Sequence, residues 1–190
     1  MRCPWAEHPD YHTYHDSEWG RPIRTDQGQF EFLTLESAQA GLSWLTILRK
    51  REGYREAFHG FEVDRVAEMT DDNVERLMLF AGIVRNRAKI RAAIGNARAF
   101  RAIQDEFGSF NTYAWSWVGG TPIQNAWATL AEVPVKTAEA EAWSKDLIRR
   151  GFKFVGPTIL YAHMQAAGMV NDHVVTCPQH AVCLAAAHPV

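Results

Sequence analysis

Apolar residues recur at helical spacing along most of this chain. Between Gln27 and Phe58 they return every three or four positions, and Gly41 interrupts the pattern and divides it in two. A second periodic stretch, from Asn86 to Phe107, predicts a long helix with an apolar inner face. That face carries Ile90, Ile94, Ala97, Phe100 and Ile103. The pattern therefore predicts an all-α fold.

Residues with known capping preferences predict the ends of the remaining helices. The expected caps are Thr70, Ser109 and Thr137 at helix starts, and Gly82 and Gly151 at helix ends. A last helix is expected near residues 158–167. Residues 119–136 form the longest irregular stretch, and only 152–155 suggest a strand.

Composition sets mild limits on the class of protein. The chain has 190 residues, 47% of them hydrophobic, which suits one domain spanning residues 1–190. Three cysteines are no disulfide scaffold, and the N-terminus lacks an apolar signal core, so we expect a cytoplasmic protein. No apolar run approaches the length of a transmembrane helix, so we expect no membrane partner, and we expect a monomer. The net charge of -2 does not indicate a nucleic-acid partner, so a prediction of nucleic-acid binding must rest on local clusters of charge.

Two cysteines and two histidines at the ends of the chain form a candidate zinc set. Cys3 and His15 lie near the N-terminus, and His173 and Cys177 are four residues apart, so one helical turn would place the latter pair on one face. Zn²⁺ prefers such ligands, although the spacing between Cys3 and His15 is unusual. The alternative is two reduced cysteines and two ordinary histidines.

The segment A-G-I-V-R-N-R-A-K-I, residues 81–90, resembles a helix-hairpin-helix in form. A glycine turn can approach a phosphate closely, and the following helix offers free amide groups and a positive dipole end. Basic side chains nearby would bind a DNA backbone. The candidate contacts are Gly82, Ile83, Val84, Arg85, Arg87 and Lys89. The alternative is a helical hairpin with an ordinary solvated basic face.

Aromatic residues crowd the N-terminal region, and a carboxylate lies in the apolar helix that follows. Glu36 precedes Trp44 by eight residues, a spacing that keeps both near one helical face. Aromatic rings and a carboxylate together suit a cationic or amino-bearing ring. The aromatic candidates are Tyr11, Tyr14, Trp19 and Trp44. The alternative is an aromatic core with Glu36 at a helix edge.

Together these blocks resemble the 3-methyladenine DNA glycosylase I family. The resemblance rests on C-P-W, Y-H-D-S-E-W-G, L-E-S-A-Q-A-G-L-S-W, A-G-I-V-R-N-R-A-K-I, G-F-K-F-V-G-P-T and N-D-H-V-V-T-C, in the family's order. The blocks run from Cys3 to Cys177 and so cover nearly the whole chain. The tail after Cys177 departs from the pattern, so Cys183 and His188 receive no role.

The resemblance implies an all-α helix-hairpin-helix glycosylase fold, with a structural zinc that joins the N- and C-terminal segments. It implies a base pocket at Glu36 and the four aromatic residues, and DNA-backbone contacts on the hairpin. It also implies that Gly41 and Leu42 fill the gap left by an extruded base. No aspartate is nominated for catalysis, because Asp172, beside His173, is expected to be structural.

The implied activity is hydrolysis of the N-glycosidic bond that releases 3-methyladenine from double-stranded alkylated DNA by base flipping. A non-catalytic DNA-binding module, with the zinc set and the hairpin but no working pocket, is the alternative.

Overall fold

A computed structural model describes residues 1–186 and shows a predominantly helical protein, as predicted. The helices are α1 (His12–Ser17), α2 (Asp26–Gln39), α3 (Trp44–Arg49), α4 (Arg51–Ala57), α5 (Val63–Ala67), α6 (Asp71–Leu79), α7 (Arg87–Phe107), α8 (Phe110–Ser116), α9 (Ala138–Arg149), α10 (Pro157–Ala166) and α11 (Pro178–Ala186). Two short strands, β1 (Ile123–Gln124) and β2 (Val170–Asn171), pair in parallel. Three-residue 3-10 helices span Pro4–Ala6, Pro9–Tyr11, His59–Phe61 and Leu130–Glu132. His188 lies outside the described residues.

Helices α2 and α7 cross the centre of the molecule. Helix α7 begins where predicted, because the Asn86 side chain accepts hydrogen bonds from two amide groups of its first turn. All five residues of its predicted inner face are buried. In that core Phe100 stacks on Phe110, with ring centroids 3.9 Å apart, and packs edge-on against Phe30 of α2.

The chain turns sharply between α2 and α3, which confirms the predicted break at Gly41. Gly41 has a φ of +78°, a conformation that glycine adopts without steric cost. The Ser43 side chain then caps α3 by accepting from the Thr46 amide. The break moves the chain out of the core at the residues that precede Trp44.

Helix α6 starts at the predicted cap but ends earlier than expected. Thr70 and Asn73 form a reciprocal capping box, whereas the helix ends at Leu79 rather than at Gly82. Gly82 instead lies in the turn between α6 and α7, where it meets Gly53 of α4. This close backbone approach fixes the position of the turn.

The expected strand at residues 152–155 is wrong. Phe154 has a φ of +55°, which a strand does not accommodate, and the carbonyl groups of Lys153, Phe154 and Val155 accept from side chains instead of a neighbouring strand. The donors are Asn96, Ser37 and Ser144. The expected last helix is α10, but the tail forms the further helix α11, which the sequence pattern did not indicate.

Within residues 1–186, the helices are all too short or too polar to cross a lipid bilayer.

The contact between Gly53 and Gly82 generates a stability prediction. A Cβ atom on Gly53 would lie 2.2 Å from the Gly82 carbonyl oxygen, so we expect Gly53→Ala to destabilise the protein by about 1–3 kcal/mol. Gly95→Ala in α7 is the matched control, because its Cβ would meet no described atom within 4 Å, and alanine should stabilise that helix by about 0.5–1 kcal/mol. Chemical denaturation measures both. Equal stability of the two variants would contradict the tight contact.

Candidate functional site: an aromatic cavity beside a cysteine–histidine cluster

A cavity of about 370 Å³ opens between the N-terminal segment, α2, α3 and α10. All five residues predicted for the pocket line it, namely Tyr11, Tyr14, Trp19, Glu36 and Trp44. The structure adds Trp5, Gln39, Leu130, Val133, Ala162, Gln165 and Asp172. Its size and planar walls suit a single flat ring system.

The aromatic walls hold one another in place through edge-to-face contacts. Trp5 packs against Trp19 with ring centroids 4.9 Å apart, and against Tyr11 at 5.5 Å. The rings of Tyr14 and Trp44, which both line the cavity, have centroids 5.4 Å apart. The Tyr11 hydroxyl accepts a hydrogen bond from the Leu45 amide, which ties the N-terminal segment to α3. The walls are therefore preformed.

Glu36 brings an uncompensated carboxyl group to the cavity. Only 5% of the residue is exposed, and no hydrogen bond or ion pair within residues 1–186 reaches its carboxyl oxygens. Burial alone raises the pKa of Glu36 from 4.5 to about 8. A buried, unpaired carboxyl group that opens into a cavity is typical of a binding or catalytic site.

Glu36 and Trp44 meet in the cavity for a different reason from the one their spacing suggested. The chain breaks at residues 40–43, so the two side chains do not share one helix face. The turn at Gly41 brings α3 back beside α2 and returns Trp44 to the same cavity.

Asp172 is a second buried carboxylate at the cavity. From the sequence we expected it only to have a structural role beside His173. Its Oδ1 accepts from Asn125 Nδ2 at 2.7 Å and from Trp127 Nε1 at 2.8 Å. Its Oδ2 accepts from the Tyr161 hydroxyl at 2.6 Å and from Gln165 Nε2 at 2.7 Å. These bonds join the irregular 119–136 stretch to α10, which supports the expected structural role and places it at the cavity wall.

Residues from the irregular stretch are the part of the site that sequence reasoning missed. Leu130 and Val133 line the cavity, and Trp127 reaches Asp172 beneath them. Their spacing carried no signal. Trp5 could have been included, because it lies in the same aromatic N-terminal region as Tyr11 and Trp19.

The four predicted zinc ligands come together beside this cavity. Their ligand atoms all lie within 4.8 Å of one another, and all four residues are buried. The predicted helical turn from His173 to Cys177 is wrong, because α11 begins only at Pro178. A tight turn achieves the same juxtaposition and leaves His173 Nδ1 3.7 Å from the Cys177 sulfur.

The two histidine rings are oriented by hydrogen bonds on their far sides. His15 directs Nε2 toward the cluster, while its Nδ1 lies 2.7 Å from the Asp16 carboxylate. His173 directs Nδ1 toward the cluster, while its Nε2 lies 3.2 Å from the Trp19 carbonyl. Burial lowers the pKa of His173 to about 4, so its ring is neutral at physiological pH. Neutral, oriented imidazoles beside two thiols form a donor set that fits a tetrahedral metal ion.

The predicted gap-filling residues lie at the tip of the turn between α2 and α3. Gly41 is exposed, and the apolar side chain of Leu42 is 41% exposed. A neighbouring groove contains both residues together with Glu36, so the tip is continuous with the cavity region. This position is compatible with the role that the sequence resemblance implied for them.

The α6–α7 turn buries one residue of the predicted phosphate-binding set. The Ile83 side chain packs in the core, with the residue only 2% exposed, so the phosphate contact predicted for Ile83 would come from its amide group. The Val84 amide donates to the Tyr54 hydroxyl. The amide groups of Gly82, Ile83 and Arg85 donate to no acceptor within residues 1–186.

The basic residues after this turn also differ in what they contact. Arg85 is exposed and forms no ion pair within residues 1–186, whereas Arg87 pairs with Glu75. Lys89 donates to the carbonyl groups of Ala38, at 2.8 Å, and Ala40 at the C-terminal end of α2. The Lys89 ammonium group therefore caps a helix end, where a positive charge is favourable, rather than projecting freely.

The helical fold carries an aromatic, carboxylate-bearing cavity whose chemistry suits a flat ring with a positive charge or an amino group. Comparison with known proteins agrees: a sequence profile described as methyladenine glycosylase matches residues 5–180. The chain belongs to the methyladenine glycosylase family.

Three relatives illustrate how far the similarity extends. DNA-3-methyladenine glycosylase 1 of Escherichia coli (strain K12) is 50% identical over 177 residues, covering 93% of this chain and 95% of that protein. A crystal structure of 3-methyladenine DNA glycosylase I, 47% identical, covers 94% of this chain and 98% of its own, with a TM-score of 0.91. A variant of 3-methyladenine DNA glycosylase I in complex with 3-methyladenine, 39% identical, covers 94% and 97%, also with a TM-score of 0.91.

The raised pKa of Glu36 generates a stability prediction. Between pH 4.5 and about 8 the folded protein keeps the Glu36 proton that the unfolded chain has lost, so this group makes stability fall as pH rises through that window. Glu36→Gln removes the effect. We expect the variant to match the parent near pH 4 and to exceed its free energy of unfolding by a few kcal/mol at pH 8. Glu68→Gln, at an exposed position, is the control. A constant difference at every pH would contradict the assignment.

Proposed function

We propose that this chain is a DNA glycosylase that releases 3-methyladenine from alkylated DNA. The observation that carries the proposal is Glu36, a buried carboxyl group without a partner among residues 1–186, open to a cavity walled by Trp44 and other aromatic rings. Family membership and the bound base in a similar structure support it. A DNA-binding module without catalysis would leave this cavity without a use.

The chemistry of the substrate explains why such a simple site suffices. Methylation at N3 gives adenine a positive charge, and the base then leaves as a neutral molecule, so the glycosidic bond is already weak. The enzyme must extrude the nucleotide, hold the cationic base and admit water to the sugar. Extrusion costs a few kcal/mol, least for a damaged base. Cation–π attraction of the base to Trp44 and the tyrosines offsets about 0.5–2 kcal/mol of this extrusion cost.

Glu36 distinguishes the cationic base from normal adenine. In the free protein its carboxyl group is largely protonated below pH 8. A cation in the cavity stabilises the ionised form, which then accepts hydrogen bonds from the base and favours its charge. The ionised carboxylate is therefore the reactive form.

We propose that the α6–α7 turn acts as a helix-hairpin-helix that grips the DNA backbone. The amide groups of Gly82, Ile83 and Arg85, which have no acceptor among the described residues, can donate to phosphate oxygens, and the exposed Arg85 side chain supplies charge. Leu42, at the exposed tip beside the cavity, would occupy the space left by the extruded base. Lys89 holds the end of α2 in position for that tip.

We propose that Cys3, His15, His173 and Cys177 hold one structural Zn²⁺. Burial raises the pKa of the Cys3 thiol to about 12, so thiolates at this position need a compensating cation. Four protein ligands leave no open position, which indicates a structural rather than a catalytic metal. The metal would tie both ends of the chain together beside the cavity.

Base release tests the proposed function directly. We expect the parent protein to liberate 3-methyladenine from methylated duplex DNA, with kcat/KM rising toward a plateau above about pH 8 as free Glu36 ionises. Glu36→Gln should lower release at least about tenfold and abolish this rise, because it keeps the shape and removes the charge. Its affinity for undamaged DNA should match that of the parent. Release by Glu36→Gln at the parent rate would remove the carboxylate from the mechanism.

Metal content tests the zinc site. We expect one Zn²⁺ per chain by elemental analysis of protein purified without chelator. Cys177→Ser should abolish that stoichiometry and lower the melting temperature, because it removes a ligand. Cys183→Ser is the matched control, since Cys183 is also buried but lies outside the cluster. Metal-free protein with full stability would rule out the site.

Substitutions of two basic residues at the α6–α7 turn distinguish contact with phosphate from support of the fold. Arg85→Ala should weaken binding about equally across DNA sequences and reduce the salt slope by about one. Lys89→Met should instead lower thermal stability, because the C-terminal carbonyl groups of α2 lose their donor. Lys145→Ala, exposed on α9, controls for net charge. An unchanged slope in Arg85→Ala would exclude this turn as the docking element.

A further inference from the structure

Gln165 on α10 lines the cavity and is held there by a single strong contact. Its amide nitrogen Nε2 donates to Asp172 Oδ2 at 2.7 Å. Neither residue belongs to the set that distinguishes charge in the proposed function. The direction in which this amide points decides what the cavity offers to a base.

Asp172 determines that direction. Around its carboxylate, the nitrogen atoms of Asn125 and Trp127 can only donate, and the Tyr161 hydroxyl occupies the remaining side of Oδ2. Because the carboxylate accepts all of these bonds, Gln165 must also turn its NH₂ group toward it. The carbonyl oxygen Oε1 of Gln165 consequently faces away from Asp172.

The Gln165 Oε1 atom is available to a ligand. It accepts no hydrogen bond within residues 1–186 and is not among the fully buried polar atoms that lack a partner. This oxygen is therefore an accessible acceptor on a residue that lines the cavity. We propose that Gln165 is a specificity-determining residue that reads the amino edge of the bound base, and that Asp172 is the positioning residue that orients it. This inference rests on the proposed function.

The chemistry of the alternative bases explains what such an acceptor adds. Adenine methylated at N3 carries an amino group at ring position six, whereas guanine methylated at N3 carries a carbonyl group there. Both are cationic in DNA, so Glu36 and the aromatic walls favour each of them. A carbonyl oxygen from Gln165 attracts the amino group and repels the carbonyl group. Glu36 thus responds to the positive charge that both bases carry, and Gln165 adds an acceptor that distinguishes their edges at ring position six.

The experiment measures both bases released from one sample of methylated duplex DNA. We expect Gln165→Leu, which has similar volume and no acceptor, to reduce the ratio of 3-methyladenine to 3-methylguanine release roughly tenfold or more. Gln104→Leu is the matched control, because Gln104 also donates to an aspartate, Asp26, but does not line the cavity. It should keep the parent ratio.

A second variant tests whether Asp172 acts through Gln165. Asp172→Asn offers an amide nitrogen in place of one oxygen, so Gln165 turns around and presents its NH₂ group to the cavity. We expect the release ratio to fall in Asp172→Asn, and to fall no further in the double variant than in Gln165→Leu alone. Thermal unfolding shows whether each variant is folded. If Asp172→Asn is not folded, the release ratio of Gln165→Leu alone tests the inference.

The outcomes separate this inference from the proposed function. A parent protein that released no 3-methyladenine would overturn the proposed function. An active parent with an unchanged ratio in Gln165→Leu, or with both products reduced equally, would overturn only the role of Gln165. A further drop of the ratio in the double variant would show that Asp172 does not act through Gln165.

Discussion

One buried cluster, formed by Cys3, His15, His173 and Cys177, brings the N- and C-terminal segments of the chain together. Four of the aromatic cavity walls lie on the sixteen or so residues that follow Cys3, so their positions depend on this cluster as well as on direct contacts with α2 and α3. Trp19 illustrates the dependence, because its carbonyl contacts His173 while its ring lines the cavity. A metal that closed this cluster would hold the recognition surface in place without touching the base.

Two buried carboxyl groups share the cavity but have opposite environments. Asp172 accepts four hydrogen bonds, which makes it a rigid part of the wall. Glu36 has no partner in the part of the chain that the structure describes, and burial raises its pKa to about 8. Such a group lowers the stability of the fold as pH rises above 4.5. If the cavity holds a cationic base, as proposed, the carboxyl group that costs stability is also the one that contributes selectivity.

The start of α7 shows how tertiary contacts assign different roles to similar residues. Arg85, Arg87 and Lys89 look equivalent in sequence, since all are basic and follow one glycine turn. In the structure only Arg85 lacks an ion pair or a carbonyl partner within residues 1–186. Charge patterns locate such a surface, but the neighbours of each side chain decide whether it is free to bind a phosphate.

Helix periodicity and capping residues determined most of this fold from the sequence alone, because both act locally: α7 starts at Asn86, α6 at its Thr70 cap and α9 at its Thr137 cap. Residue chemistry likewise identified the pocket and the cysteine–histidine set. Only the tertiary structure decided which residues far apart in the chain meet, as Trp127 and Gln165 do at Asp172. It also decided that residues 152–155 form a clamped turn, because side chains from α2, α7 and α9 bind their carbonyl groups, and no local pattern encodes those partners.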